Sequence, residues 1–225
     1  MSPWWYRQRI LVLFALALIA QMIGLWLWHA LGYRVTIGQI IVLRFGEWGA
    51  QCAILTSLLL GSAGVGLRIW GSGYLHADTV WSADVTARHL IIAGPFRWMR
   101  NPLYVGNILF FCAFLIFATP PGAIGLLVVV IGFSILLIKH EYAHLRTIFG
   151  DAYLTYTQRV PALYPRVLPI PGNGAPFNLL TGLRSEIFMF GLFIGLIAYL
   201  SGSSYALWIW GIGFLLGAFL QRRAL

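Results

Sequence analysis

Apolar runs long enough to cross a lipid bilayer constrain this chain more than any other feature. The first extends from Ile10 to about Leu31 without a single Asp, Glu, Lys or Arg. A helix needs about 20 such residues to span the hydrocarbon. A secretory signal has a shorter core, roughly 7–15 residues, and a small-residue cleavage site. Neither is present, so the run reads as a retained span. Further runs cover about 48–70, 103–118, 120–149, 186–201 and 204–220. Backbone N–H and C=O groups have no water to bond in lipid, so runs of this length fold as helices. The expected class is all-α, a polytopic membrane bundle of about six spans with a cofactor pocket on the cytoplasmic side. Composition agrees: of 225 residues 60% are hydrophobic and 9% charged, with mean hydropathy +0.83. A soluble domain of this length does not have that balance.

The few charges are placed asymmetrically. Arg7, Arg9, Arg68, Arg88, Arg97, Arg100, Lys139, Arg146, Arg159, Arg166, Arg184, Arg222 and Arg223 fall on one side of the spans, and only Arg34 and Arg44 on the other. Basic residues mark the cytoplasmic loops, so both termini are expected in the cytoplasm and the protein in the inner or plasma membrane of a prokaryote. The arginines then serve as topology determinants. A nucleic-acid partner is not expected, since a formal charge of +9 is not gathered on a soluble face. Cys52 and Cys112 lie inside apolar runs and read as core thiols. Gly61, Ser62, Gly64 and Gly66, and the pairs Gly191/Gly195 and Gly213/Gly217, supply small residues for close helix packing.

Two stretches carry the polar chemistry. Residues 94–106 read GPFRWMRNPLYVG: Arg97 and Arg100 among aromatics, then a Pro-broken backbone entering an apolar run. Residues 140–165 read HEYAHLRTIFGDAYLTYTQRVPALYP. The fourth helix has no breaker before Gly150; its nearly thirty residues, roughly 45 Å at 1.5 Å each, exceed the bilayer core. Its end, from Lys139, is therefore expected to protrude, to stop at Gly150 and to reach the same membrane face as the 94–106 loop. Asp151 is placed to cap a short helix with Tyr153 and Tyr156, both read as interfacial anchors, and Pro161 to stop it.

His140-Glu141-x-x-His144 has the spacing of a helical zinc site with a glutamate base. A third ligand would have to come from His76, Asp78, Asp84 or Asp151, and no spacing marks one, so no metal is expected. His144 reads instead as a helix-end histidine stabilised by the C-terminal dipole.

A longer pattern is more specific. Arg100-Asn101-Pro102-x-Tyr104-x-Gly106, a helical hairpin, then Glu141, Leu145, Phe149-Gly150, Tyr153, Tyr156 and Val160-Pro161 resembles the isoprenylcysteine carboxyl methyltransferase and phospholipid methyltransferase superfamily. The resemblance covers 85–165, which divides one integral membrane domain into two N-terminal spans with a connector (1–84), a cofactor-binding core (85–165) and two further spans (166–225). It implies S-adenosyl-L-methionine as cofactor, held by Arg88, His89, Leu90, Ile91, Phe96, Arg100, Asn101, Pro102, Leu103, Tyr104 and Glu141. Among these Glu141, Arg100 and Asn101 are the candidate catalytic residues. It also implies a lipophilic or lipid acceptor taken from the bilayer. Three positions depart from the family's pattern. Asn101 stands for the usual histidine and cannot titrate, Tyr142 replaces a second glutamate, and Leu137 replaces a substrate-binding arginine of the prenylcysteine enzymes. The acceptor stays open between an isoprenoid- or lipid-like carboxylate, amine or thiol.

These residue types suit such a cofactor. A carboxylate accepts from its ammonium or hydroxyls, an arginine pairs with its carboxylate, and an aromatic covers the adenine or faces the sulfonium. Two other activities stay open: a nicotinamide-dependent sterol-type reductase, for which no Gly-rich phosphate loop is seen, and the zinc protease. The non-enzyme alternative is a packing or transport bundle, which leaves Arg100, Tyr104 and Glu141 without a purpose.

Overall fold

The computed structural model describes residues 6, 8–75, 90–205, 208, 211 and 212. Most of the sixth apolar run and the polar stretch 76–89 lie outside them. The fold is all-α, as expected of a helical membrane bundle. In chain order the helices are α1 (Arg9–Ala30), α2 (Ile37–Ser72), α3 (Pro102–Cys112), α4 (Pro120–Arg159), α5 (Leu179–Ser185) and α6 (Ile187–Leu200). Among the described residues α1, α2 and α4 are long and apolar enough to cross a membrane, and α5 with α6, bent by 71°, make a fourth if counted together.

Two spans differ from expectation. The second helix starts at Ile37 rather than about residue 48. Its start is a reciprocal cap, in which the Thr36 N–H donates to Gln39 Oε1 at 2.8 Å and the Gln39 N–H to Thr36 Oγ1 at 3.3 Å. That Thr-x-x-Gln pattern is the capping box. Gly46, at φ 63°, interrupts the helix, so Arg44 and Glu47 sit on helix rather than in a loop. The third apolar run is not long enough to span: α3 has 11 residues, about 16 Å at the helical rise. It gives way to a 3-10 turn, Leu115–Phe117, before the Pro120 hairpin. The fourth helix keeps to expectation. It runs unbroken past Lys139 and departs from helical geometry at Gly150, where φ is 51°.

The chain forms two compact units, neither contiguous in sequence. One takes residues 3–64 and 107–137. Its α1 and α4 touch backbone to backbone: a Cβ on Gly24 would lie 2.2 Å from the Gly122 Cα. Phe14, Phe110 and Phe111 pack together there, and Ser57 donates its hydroxyl to the Ala113 carbonyl freed where α3 ends. The other unit takes residues 65–106 and 138–225, and every described candidate site residue falls in it.

Candidate functional site

The two polar stretches meet within this second unit. Ala93 and Gly94 turn the chain into a 3-10 turn, Gly94–Arg97. Gly94 takes φ 50°, and a Cβ there would strike the Tyr74 ring at 2.1 Å, so the turn needs glycine for both reasons. Pro102 then starts α3, where its missing N–H is no loss. The segment after Gly150 clasps this loop from the other side. Arg100 N–H donates to Pro161 O at 2.9 Å and Asn101 N–H to Ala162 O at 3.2 Å. The Asn101 side chain donates to the same Ala162 carbonyl at 3.0 Å, and the Tyr156 hydroxyl to Phe96 O at 2.7 Å. Tyr153, Tyr156 and Val160 form a buried cluster, with Leu90, Ile92, Tyr142, Leu145, Phe149 and Ile170 around it.

That burial corrects the reading of Tyr153 and Tyr156 as interfacial anchors: both are only 5% exposed. Gly150 redirects the helix so that its last turns pack on the loop rather than face lipid. Burial pushes both phenols above their ordinary range; at Tyr153 the nearby Arg100 guanidinium offsets part of that rise.

The carboxylate of the site is Glu141. It is half-buried, and the Tyr104 hydroxyl donates to its Oε1 at 2.6 Å. The family resemblance gives Arg100, Tyr104 and Glu141 each to the cofactor; here the Tyr104 hydroxyl turns to Glu141. Arg100 lies instead against Tyr153, and its Nε is buried without a hydrogen-bond partner among the described residues. A buried donor left unpaired costs about 1–3 kcal/mol, so this nitrogen is suited to an acceptor brought by a ligand.

The remaining candidates are distributed as follows. Phe96 and Pro102 are buried; Leu90, Ile91, Asn101 and Leu103 are half-buried. The Leu90 carbonyl accepts from the Asn173 side chain at 2.6 Å. Arg88 and His89 lie outside the described residues, as do His76, Asp78 and Asp84. His144 and Asp151 are exposed. No group of three or more His, Cys, Asp or Glu side chains able to hold a metal occurs among the described residues.

A second polar cluster was not anticipated. Arg68, read as a topology charge, is buried and paired with Glu186, its Nε 2.5 Å from Oε2 and its Nη2 3.0 Å from Oε1. Ser72 donates to Glu186 Oε1 at 2.6 Å, and Arg68 Nη1 donates to the Leu103 carbonyl at 3.2 Å. Glu186 sits at the bend between α5 and α6. The signal was available: Glu186 heads an apolar run and Arg68 ends one, and a lone ionisable group in such a run implies a partner.

Residues 52–152 match the family model described as phospholipid methyltransferase. The match begins earlier than the resemblance over 85–165, taking in much of α2, and ends before Tyr153. No curated protein and no solved structure matches the chain.

Proposed function

We propose that the chain transfers a methyl group from S-adenosylmethionine to a lipophilic acceptor at the membrane face, a reading supported by the match of residues 52–152 to the phospholipid methyltransferase family model. The observation that carries this reading is the buried Arg100 Nε, without a hydrogen-bond partner among the described residues, on the loop that leads into Tyr104, whose hydroxyl bonds Glu141. The residues fit the charged groups of the cofactor's amino acid end. Arg100 offers a donor for its carboxylate, and Glu141 an acceptor for its ammonium or ribose hydroxyls.

When bound, the cofactor supplies an electrophilic methyl on a sulfonium. The chain's part is alignment and exclusion of water, which supply most of the rate in an in-line displacement. Tyr104, held in the first turn of α3, fixes the Glu141 carboxylate through its hydroxyl. Asn101 acts through the backbone, since its amide holds Ala162 and thereby the loop. Tyr153 lies beside the Arg100 guanidinium. A base is required only for an acceptor that arrives protonated, and Glu141 is the half-buried carboxylate at hand.

The test is calorimetric titration of S-adenosylmethionine into the purified protein and into Glu141→Gln and Arg100→Gln. Wild type is expected to bind, and each variant to bind about ten- to a hundredfold more weakly, the equivalent of one charge-assisted hydrogen bond at roughly 1.5–3 kcal/mol. Absence of wild-type binding, or equal binding by Glu141→Gln, would overturn the proposal.

A further inference from the structure

The segment 160–185 lies wholly beyond the family match, and its surface is unlike that of a water-exposed loop. Val167 is 91% exposed, Leu168 72% and Tyr164 70%. Phe177, Leu179, Leu180 and Leu183 continue the apolar surface onto α5. These side chains do not belong to a loose loop. The backbone is tied down by Arg166 N–H to Trp98 O at 3.0 Å, Ile170 N–H to Arg97 O at 3.1 Å, Asn173 N–H to Ile92 O at 2.9 Å and Asn178 N–H to Gly73 O at 2.8 Å. The Asn178 side chain caps α5 by accepting from the Thr181 N–H at 3.0 Å. Gly182 presses that helix on residues 69–73, since a Cβ there would lie 2.5 Å from Ile69 O.

We infer that residues 164–183 form a shelf seated on the bilayer at the boundary between headgroups and acyl chains, and that the lipid there is anionic. Three observations select this occupant. The apolar surface is continuous in sequence with α6, which leaves α5 at 71°, so the short helix turns away from the direction of the apolar helix, as an interfacial helix does. Irregular backbone cannot lie in hydrocarbon with its polar groups bare. Here Pro161, Pro165, Pro169, Pro171 and Pro176 have no N–H to satisfy, and four of the remaining N–H groups are bonded inward. Finally, residues 152–185 contain Arg159, Arg166 and Arg184 and no acidic residue. That charge suits anionic headgroups, at about 1 kcal/mol per basic residue near the surface. The shelf bonds directly to Arg97 and Trp98, so the loop bearing Arg100 is held at headgroup level. This inference uses no step of the methyl transfer and stands whatever the site binds.

The test is spin labelling in reconstituted full-length protein, with Cys52→Ser and Cys112→Ser as background. Labels are placed at Val167→Cys and Leu168→Cys. Leu18→Cys, on the exposed face of α1, serves as lipid control, and Asp151→Cys as water control. Collision with oxygen should exceed collision with a nickel chelate several-fold at 167 and 168, as at 18 and opposite to 151. The preference should weaken in bilayers of neutral lipid alone, and in Arg166→Glu/Arg184→Glu. Free access of the nickel chelate at 167 and 168 would place the shelf in water and overturn the inference. Exclusion of both reagents would do so too, since it would mean cover by a second copy or another protein. Unchanged behaviour in neutral lipid would overturn the anionic part alone. Each outcome is independent of whether S-adenosylmethionine binds in the calorimeter.

Discussion

Glu141 and Glu186 are the same chemical group in two surroundings, and both lie in the unit that gathers residues 65–106 and 138–225. Glu186 is 1% exposed and receives two guanidinium nitrogens and a serine hydroxyl. Its arginine uses a further nitrogen on the Leu103 carbonyl. The Glu186 carboxylate is thus answered by a cation and by three donors. Glu141 is half-buried and tied to a neutral phenol, while the nearby loop holds an arginine whose Nε has no partner among the described residues. A closed cluster of that kind fixes structure, and an unmatched donor beside a carboxylate is suited to a ligand. The two regions meet at consecutive residues, since Leu103 answers to Arg68 and Tyr104 to Glu141.

The comparison can be broken at either end. The largest effect should follow Arg68→Ala, which leaves the Glu186 charge buried and unpaired at a cost of about 3–5 kcal/mol. Thermal unfolding in detergent should show it, and Arg68→Met/Glu186→Leu should recover most of the loss. No loss in Arg68→Ala would mean the cluster is not closed. Tyr104→Phe removes one hydrogen bond to Glu141, and S-adenosylmethionine affinity should fall by roughly 0.5–1.5 kcal/mol with little change in melting temperature.

A smaller effect concerns the tyrosine cluster. The folded state raises the Tyr153 and Tyr156 phenols above their unfolded value, mainly by burial. A raised folded pKa gives stability that is fully present below the unfolded pKa, about 10, and lost as pH rises through the folded one. Melting temperature should therefore fall on the alkaline side of pH 10, less steeply in Tyr156→Phe; equal slopes would remove the cause. The smallest effect is expected at His144, which is exposed. His144→Ala should leave cofactor affinity unchanged, and a loss there would favour a role for the His-Glu-x-x-His spacing.

How much of this was legible beforehand follows from what each feature depends on. The helical class and the stop at Gly150 follow from local composition and from a breaker. That the end of the fourth helix reaches the same face as 94–106 followed from its length and from the placement of the basic residues, whereas the clasp of 151–162 on that loop was not legible. The start of α2 was legible in Thr36 and Gln39 and was overlooked because Arg44 and Glu47 suggested a loop. The shortness of α3 was not legible, because the apolar run continues through the 3-10 turn and hydropathy does not register the tightening. Tyr153 and Tyr156 read as anchors because aromatic residues near a helix end look alike whether they face lipid or a loop folded back on them. The Arg68–Glu186 pair joins residues 118 apart, beyond any local rule, although each charge's place in an apolar run called for a partner.

The most direct measurement sets the two carboxylates side by side. Wild type, Glu141→Gln and Glu186→Gln are each titrated with S-adenosylmethionine by calorimetry and melted without it. Glu141→Gln is expected to lose about ten- to a hundredfold in affinity at an unchanged melting temperature. Glu186→Gln is expected to melt lower and, where folded, to bind as wild type does. If Glu141→Gln binds normally while Glu186→Gln does not, the assignment of the open region to the cofactor and the closed one to structure is contradicted.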